Sequence, residues 1–149
     1  MLFKFLSTLP FKVLGTVDFE KVRMNIGKVV HFEIPADNLG RAKKFYGTVF
    51  GWSLNEFPEM EYTIAITVES EQNGMPNEPG AINGGMLQRQ DPVKTPIITI
   101  SVDNVDQAAS TIEKHGGKMI RPKMAVGDMG FAAYFKDTEG NLVGLWQNA

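Results

Sequence analysis

The chain repeats itself. Shifting its 149 residues by 66 places lays "HFEIPADNLGRAKKFYGTVFGW", residues 31–52, over "IITISVDNVDQAASTIEKHGGK", residues 97–118. Ile34 then meets Ile100, Asp37 meets Asp103, Asn38 meets Asn104, Ala42 meets Ala108 and Gly51 meets Gly117. A duplicated unit that cannot close its own core has to bury it beside its copy, so the repeat constrains the fold more than any single residue does.

Each copy reads strand, cap, helix. Asp37 and Asp103 stand where a side-chain oxygen accepts a bond from the first free helical amides. The apolar set Val105, Ala108, Ala109 and Ile112 has the spacing of a helix buried on one side, and Leu39, Ala42, Tyr46, Val49 and Phe50 repeat it. Gly116 and Gly117 supply the helix stop. Strand candidates follow each helix: "YTIAITV" and "GGMLQRQ" in the first half, "GKMIRP", "GFAAYFKD" and "GNLVGLWQ" in the second. "DTEGN", 137–141, reads as a turn, which makes Asp137 and Glu139 turn formers and not an acid/base pair. A Gly-, Pro- and Asn-rich stretch, 69–85, is long enough for a lid or binding loop, and "MAVGDMG", 124–130, is its smaller counterpart.

The predicted fold is therefore α+β: two tandem βαβββ modules, about 28–90 and 96–148, forming a curved mixed sheet with helices on one face and a central pocket on the other. They make one domain, 25–149, preceded by an N-terminal extension, 1–24, that is expected to pack on the domain or on a partner. Asp91 to Pro96 is the one hinge-like stretch.

An apolar share of 43% and a charged share of 21% describe a globular protein. A net charge of -2 with scattered Lys and Arg argues against nucleic acid as a partner. With no cysteine, disulfides, thiolate zinc sites and cysteine nucleophiles are excluded, and a cytoplasmic location is the expectation. Lys4, Pro10 and Lys12 interrupt the apolar opening, so neither a signal peptide nor a membrane span, which needs about 20 apolar residues, is expected. His115, at the end of the second helix, reads as a surface residue favoured by the helix dipole.

The module pattern, the His31 strand with its "FY" and "FGW", and the closing "DTEGNLVGLWQ" resemble the vicinal oxygen chelate superfamily, which includes glyoxalase I, extradiol dioxygenases and bleomycin-binding proteins. "HFEIPADN", "INGG" and "PKMAVGDMG" are most similar to members without assigned activity. The resemblance implies the fold, and in metal-using members two ligands per module, one from the first strand and one from the last, around a divalent ion that polarises the substrate. His31 matches the first of these positions, Ile97 is its counterpart in the second module, and the last-strand carboxylate falls at Gly144. The remaining position is set near Gln88, by placing Gly84 over Gly140, or at Leu87 if that alignment slips by one. No metal or other cofactor is expected; His31 and Gln88, with Glu33 adding an oxygen, are the ligands if there is one.

Strand alternation puts Val29, His31 and Glu33 on one face and Val30, Phe32 and Ile34 on the other, apolar, helix-packed face. His31 thus faces the pocket, either as a hydrogen-bonded structural residue or as a ligand contact, and with Glu33 it is the candidate catalytic pair, since imidazole titrates near neutrality. Gln88, Thr99, Tyr134 and Trp146 are the candidate ligand-binding residues, Trp146 as a flat wall for a planar ligand. The expected function is binding of a small molecule by a homodimer without an assignable reaction. The alternatives are a lactoylglutathione-lyase-like or other lyase or isomerase using His31, and an assembly protein using the N-terminal arm and the 69–85 loop.

Overall fold

Two copies of one strand-helix-strand-strand-strand unit follow each other in the computed structural model, which describes residues 27–149; the extension at 1–24 lies outside the described residues. The first copy comprises β1 (Lys28–Ala36), α1 (Leu39–Phe50), β2 (Ser53–Phe57), β3 (Tyr62–Ile66) and β4 (Gly84–Gln88). The second comprises β5 (Ile97–Ser101), α2 (Val105–Lys114), β6 (Lys118–Val126), β7 (Gly130–Lys136) and β8 (Leu142–Asn148). All eight strands form one mixed sheet in the order β2-β3-β4-β1-β5-β8-β7-β6.

The copies meet at β1 and β5, which run antiparallel with His31 opposite Thr99 and Glu33 opposite Ile97. The 66-residue shift takes His31 to Ile97 and Glu33 to Thr99, so each residue pairs with the counterpart of its neighbour but one. That exchange is what an internal two-fold between duplicated strands produces. On the open face, Glu33 lies beside Gly85 of β4, and Thr99 lies beside Gly144 of β8.

Several local expectations shift by a residue. The helix caps are Asn38 and Asn104, whose side-chain oxygens accept from the amides of Arg41 at 2.8 Å and Gln107 at 2.9 Å. Asp37 is free of that task because its carboxylate pairs with Arg89 instead. A register shift between Val29 and His31 sets Val29 opposite Ile100, so the predicted alternation holds only from His31 onward. The stretch after β4 is pinned and not hinge-like: Val93 is buried, and Arg89 donates to the carbonyls of Pro35 and Lys94. At the far end α2 stops as predicted, with the amides of Gly116 and Gly117 bonded to the carbonyls of Glu113 and Ile112.

The two helices pack unequally. Val105 and Ala108 of α2 sit in a core with Ala133, Phe135, Val143 and Leu145, whereas α1 buries no residue fully. The long loop before β4 is held by Asn83, whose side-chain oxygen accepts from the amide and hydroxyl of Thr67 while its amide donates to Ser70 and the Gly74 carbonyl.

Candidate functional site

Four polar side chains converge on the open face, and strand parity brings them there. Glu33 in the middle of β1 is only 7% exposed. Tyr62, at the start of β3, donates to Glu33 Oε1 at 3.2 Å, and Tyr134 of β7 donates to both Glu33 oxygens at 3.1 and 3.0 Å. His31 Nε2 lies 2.7 Å from the Tyr62 hydroxyl. A phenol has one proton; with Tyr62's given to Glu33, His31 Nε2 carries the hydrogen and Nδ1 is left as an acceptor. Thr99, buried opposite His31, completes the floor.

Burial sets the electrostatics. Desolvation pushes the Glu33 carboxyl above its usual 4.5, opposed by the hydrogen bonds of Tyr134 and Tyr62 and by the charge of Arg121. Desolvation likewise lowers the His31 imidazole below its usual 6.5, which keeps it neutral. Both tyrosine hydroxyls are pushed upward, by burial first and then by the Glu33 charge, and remain protonated donors. The site is thus an anion-capable carboxyl flanked by neutral donors.

Two glycines make room for it. A Cβ at Gly85 would overlap the Tyr62 ring, and one at Gly144 would stand 2.5 Å from Thr99 Oγ1. Gly85 is also the register equivalent of Gly144, because it lies beside Glu33 as Gly144 lies beside Thr99. The fourth family position is therefore Gly85, and Gln88 is displaced from it by three residues. An odd displacement turns a side chain to the opposite face. Gln88 pairs with Ala36, is exposed, and donates to the Asp37 carbonyl at 3.2 Å, away from His31.

Of the other predicted residues, Trp146 lies on the open face by its pairing with Ser101 and Ala132, and its indole N–H donates to Asn148 at 2.8 Å, outside the Glu33 cluster. His115 is exposed at the end of α2, and Asp137 accepts the amides of Glu139 and Asn141 within its turn, both as expected. Tyr62 and Gly85 were not foreseen. The alternation Tyr62, Ile64, Ile66 in "YTIAI" carries the signal, but both faces of that strand read as buried, so sequence alone does not say which is the open one.

Paired βαβββ modules around a concave face that carries His31 at the first-strand position define the class to which this chain belongs. A family profile described as bleomycin resistance protein-like N-terminal matches residues 28–67. CFP32 of Mycobacterium tuberculosis (strain CDC 1551 / Oshkosh), a protein that carries a glyoxylase name, is 32% identical over 111 residues, 71% of this chain; the chain spans 40% of that relative's length. A protein of Vibrio parahaemolyticus serotype O3:K6, named as a probable lactoylglutathione lyase, is 28% identical over 84% of this chain and 94% of its own. Among solved structures, a hypothetical protein from Bacillus halodurans C-125 superposes with a TM-score of 0.59 at 15% identity, covering 84% of this chain and 96% of the other. A methylmalonyl-CoA epimerase in complex with methylmalonyl-CoA and NH4+ does so with a TM-score of 0.57 at 18% identity and the same coverage. The profile match, these relatives and the shared fold support the vicinal oxygen chelate superfamily. No helix among the described residues is long and apolar enough to cross a membrane.

Proposed function

We propose that this chain binds a small molecule on the concave face, against His31, Glu33, Thr99, Tyr134 and Trp146, without a divalent ion. One observation carries the reading. Of the positions that the family resemblance assigns to metal ligands, His31, Gly85, Ile97 and Gly144, a single one bears a ligating side chain, and Tyr62 and Thr99 fill the space over the two glycines. Zinc sites take at least three protein ligands. A metal does not fit this set, and a ligand would meet instead a carboxylate, an imidazole acceptor and an aromatic wall at Trp146, which favours a planar molecule with a hydrogen-bond donor.

The reading extends to a homodimer in the cytoplasm, where a chain without cysteine is at home. Chelator-stripped protein, screened by thermal shift against planar ligands with and without zinc, nickel, manganese or magnesium, should be stabilised by some ligand in the absence of every ion. A requirement for metal with each ligand found would overturn the proposal.

A second reading, a metal-free lyase or isomerase, is favoured by the Glu33 carboxyl, which burial raises above its ordinary value, since a buried acid beside neutral donors suits proton transfer. In that case His31→Ala abolishes turnover while the folded fraction persists.

A further inference from the structure

Because the two modules are copies, strand register tells which open-face positions correspond, and some of them differ in charge. Ile64, beside Gly85, corresponds to Tyr134, beside Gly144. Carried outward to the edge strands, the same register matches Asn55 with Arg121, Ser53 with Lys118 and Ile66 with Lys136. The outer wing of the second module thus carries three cations where the first carries none, and Phe57, Ile64 and Ile66 give the first an apolar strip. Lys118 stands directly opposite Lys136 on paired strands, with Arg121 in the next row of the same face, and like charges so placed destabilise a sheet. Among the described residues no carboxylate pairs with any of the three. The nearby acids are engaged elsewhere: Asp137 accepts the amides of Glu139 and Asn141, and the Asp91 carboxylate pairs with Lys94. Arg121 is also tethered. Its Nη2 donates to the Asp91 carbonyl at 3.0 Å, and its charge is felt at both Glu33 and the Tyr134 hydroxyl.

Resting on the small-molecule reading given above, we propose that the concave face takes an amphipathic organic acid, its carboxylate on Arg121 and its apolar body on the wing of the first module. An arginine fork matches a planar carboxylate with two parallel bonds, whereas Lys118 and Lys136 act as point charges that attract the anion without orienting it. The body passes over Tyr134 and Tyr62, which screen the buried Glu33 from it, and reaches Phe57, Ile64 and Ile66. One small molecule can bridge the wings because the two phenols, one from each, reach the same oxygen, Glu33 Oε1, at 3.1 and 3.2 Å. Phe57 is 46% exposed and gains by being covered. An anion at Arg121 also relieves the repulsion between Lys118 and Lys136, so binding stabilises β6, the edge strand of the sheet.

A panel of aryl and alkyl carboxylates, each beside its own uncharged carboxamide and headed by 2-naphthoate and 2-naphthamide, separates the charge from the body. Calorimetric titration of the full chain should show the acid bound about tenfold more tightly than its amide. Raising the salt to about 1 M, where charges are screened within about 3 Å, should narrow that gap. Arg121→Gln should close it to about twofold, while Lys44→Gln, the same loss of charge on α1, should keep it. Amide shifts on adding 2-naphthoate should centre on Ile64, Arg121 and Tyr134. Equal affinity for acid and amide, or a gap that survives either salt or Arg121→Gln, overturns the anion site and leaves small-molecule binding standing. Displacement of 2-naphthoate by equimolar inorganic phosphate overturns the amphipathic ligand in favour of a bare anion site. If no member of either series binds, the small-molecule reading itself falls, and the organic acid with it.

Discussion

Tyr134 places its hydroxyl between the two carboxylate oxygens of Glu33, 3.1 and 3.0 Å away, from a strand three places along the sheet. Tyr62 reaches the same carboxylate from two strands away on the other side. Neighbouring strands lie about 4.8 Å apart, so in a flat sheet side chains of this length would stand parallel and never meet. Their meeting over Glu33 is a direct expression of the sheet's curvature, and it makes the carboxyl the keystone between the two modules.

Removing one donor should therefore be felt by the whole domain. Tyr134→Phe leaves a buried carboxylate short of a partner, and the expected cost is about 1–3 kcal/mol, read as a fall in the urea midpoint at neutral pH. An unchanged midpoint would mean that solvent replaces the phenol and that Glu33 is less enclosed than its exposure indicates.

The pH dependence of stability should separate the two titrating groups. Glu33 is raised above 4.5, so the folded chain keeps a proton that the unfolded chain releases, and its contribution falls as pH climbs from 4.5 through the folded value. His31 is lowered below 6.5, so its contribution falls as pH drops from 6.5 through its own folded value. The slopes oppose each other in the native chain. Glu33→Gln should leave a stability that declines toward acid, and His31→Asn one that declines toward neutral pH. Denaturation midpoints collected between those values test both signs.

Gly85→Ala tests the close approach of Tyr62 to β4. The added methyl group must displace the phenol ring, and overpacking of this kind costs about 1–3 kcal/mol. In the Tyr62→Ala background the same substitution should cost much less, because the ring it strikes is gone; additive losses would show that the ring and the glycine are independent.

Much of this architecture is legible in the sequence because duplication and strand parity are properties of order along the chain. The 66-residue shift fixes the two-fold, and alternation from His31 puts His31 and Glu33 on the face where they are found. What escapes is register between strands that are distant in sequence. Nothing in "GGMLQRQ" says which glycine stands beside Glu33, so the choice of Gln88 rests on a one-dimensional alignment and lands three residues away. The edge strand β2, "SLNEF", escapes for a different reason: it is mostly exposed and polar, so it lacks the apolar alternation that marks a half-buried strand. The caps fall at Asn38 and Asn104 and not at the expected Asp37 and Asp103, because Asp and Asn are adjacent in both copies and equally able to accept an amide.

The loop before β4 has in Asn83 an anchor whose removal should be visible locally. Asn83→Ala deletes the acceptor of the Thr67 amide and the donors to Ser70 and Gly74. Hydrogen exchange at the Thr67 amide should accelerate, with a global loss of about 1–3 kcal/mol. Protection that survives the substitution would show that the loop is held by other means.

The crossing of β1 with β5 has a lasting consequence for how this protein changes over generations. An assembly of identical single modules must alter both halves of its central face whenever one codon mutates. Here the two halves are written separately, so Glu33 stands on one side of the axis and Thr99 occupies the matching place on the other. Either half can be rewritten while the other is held constant.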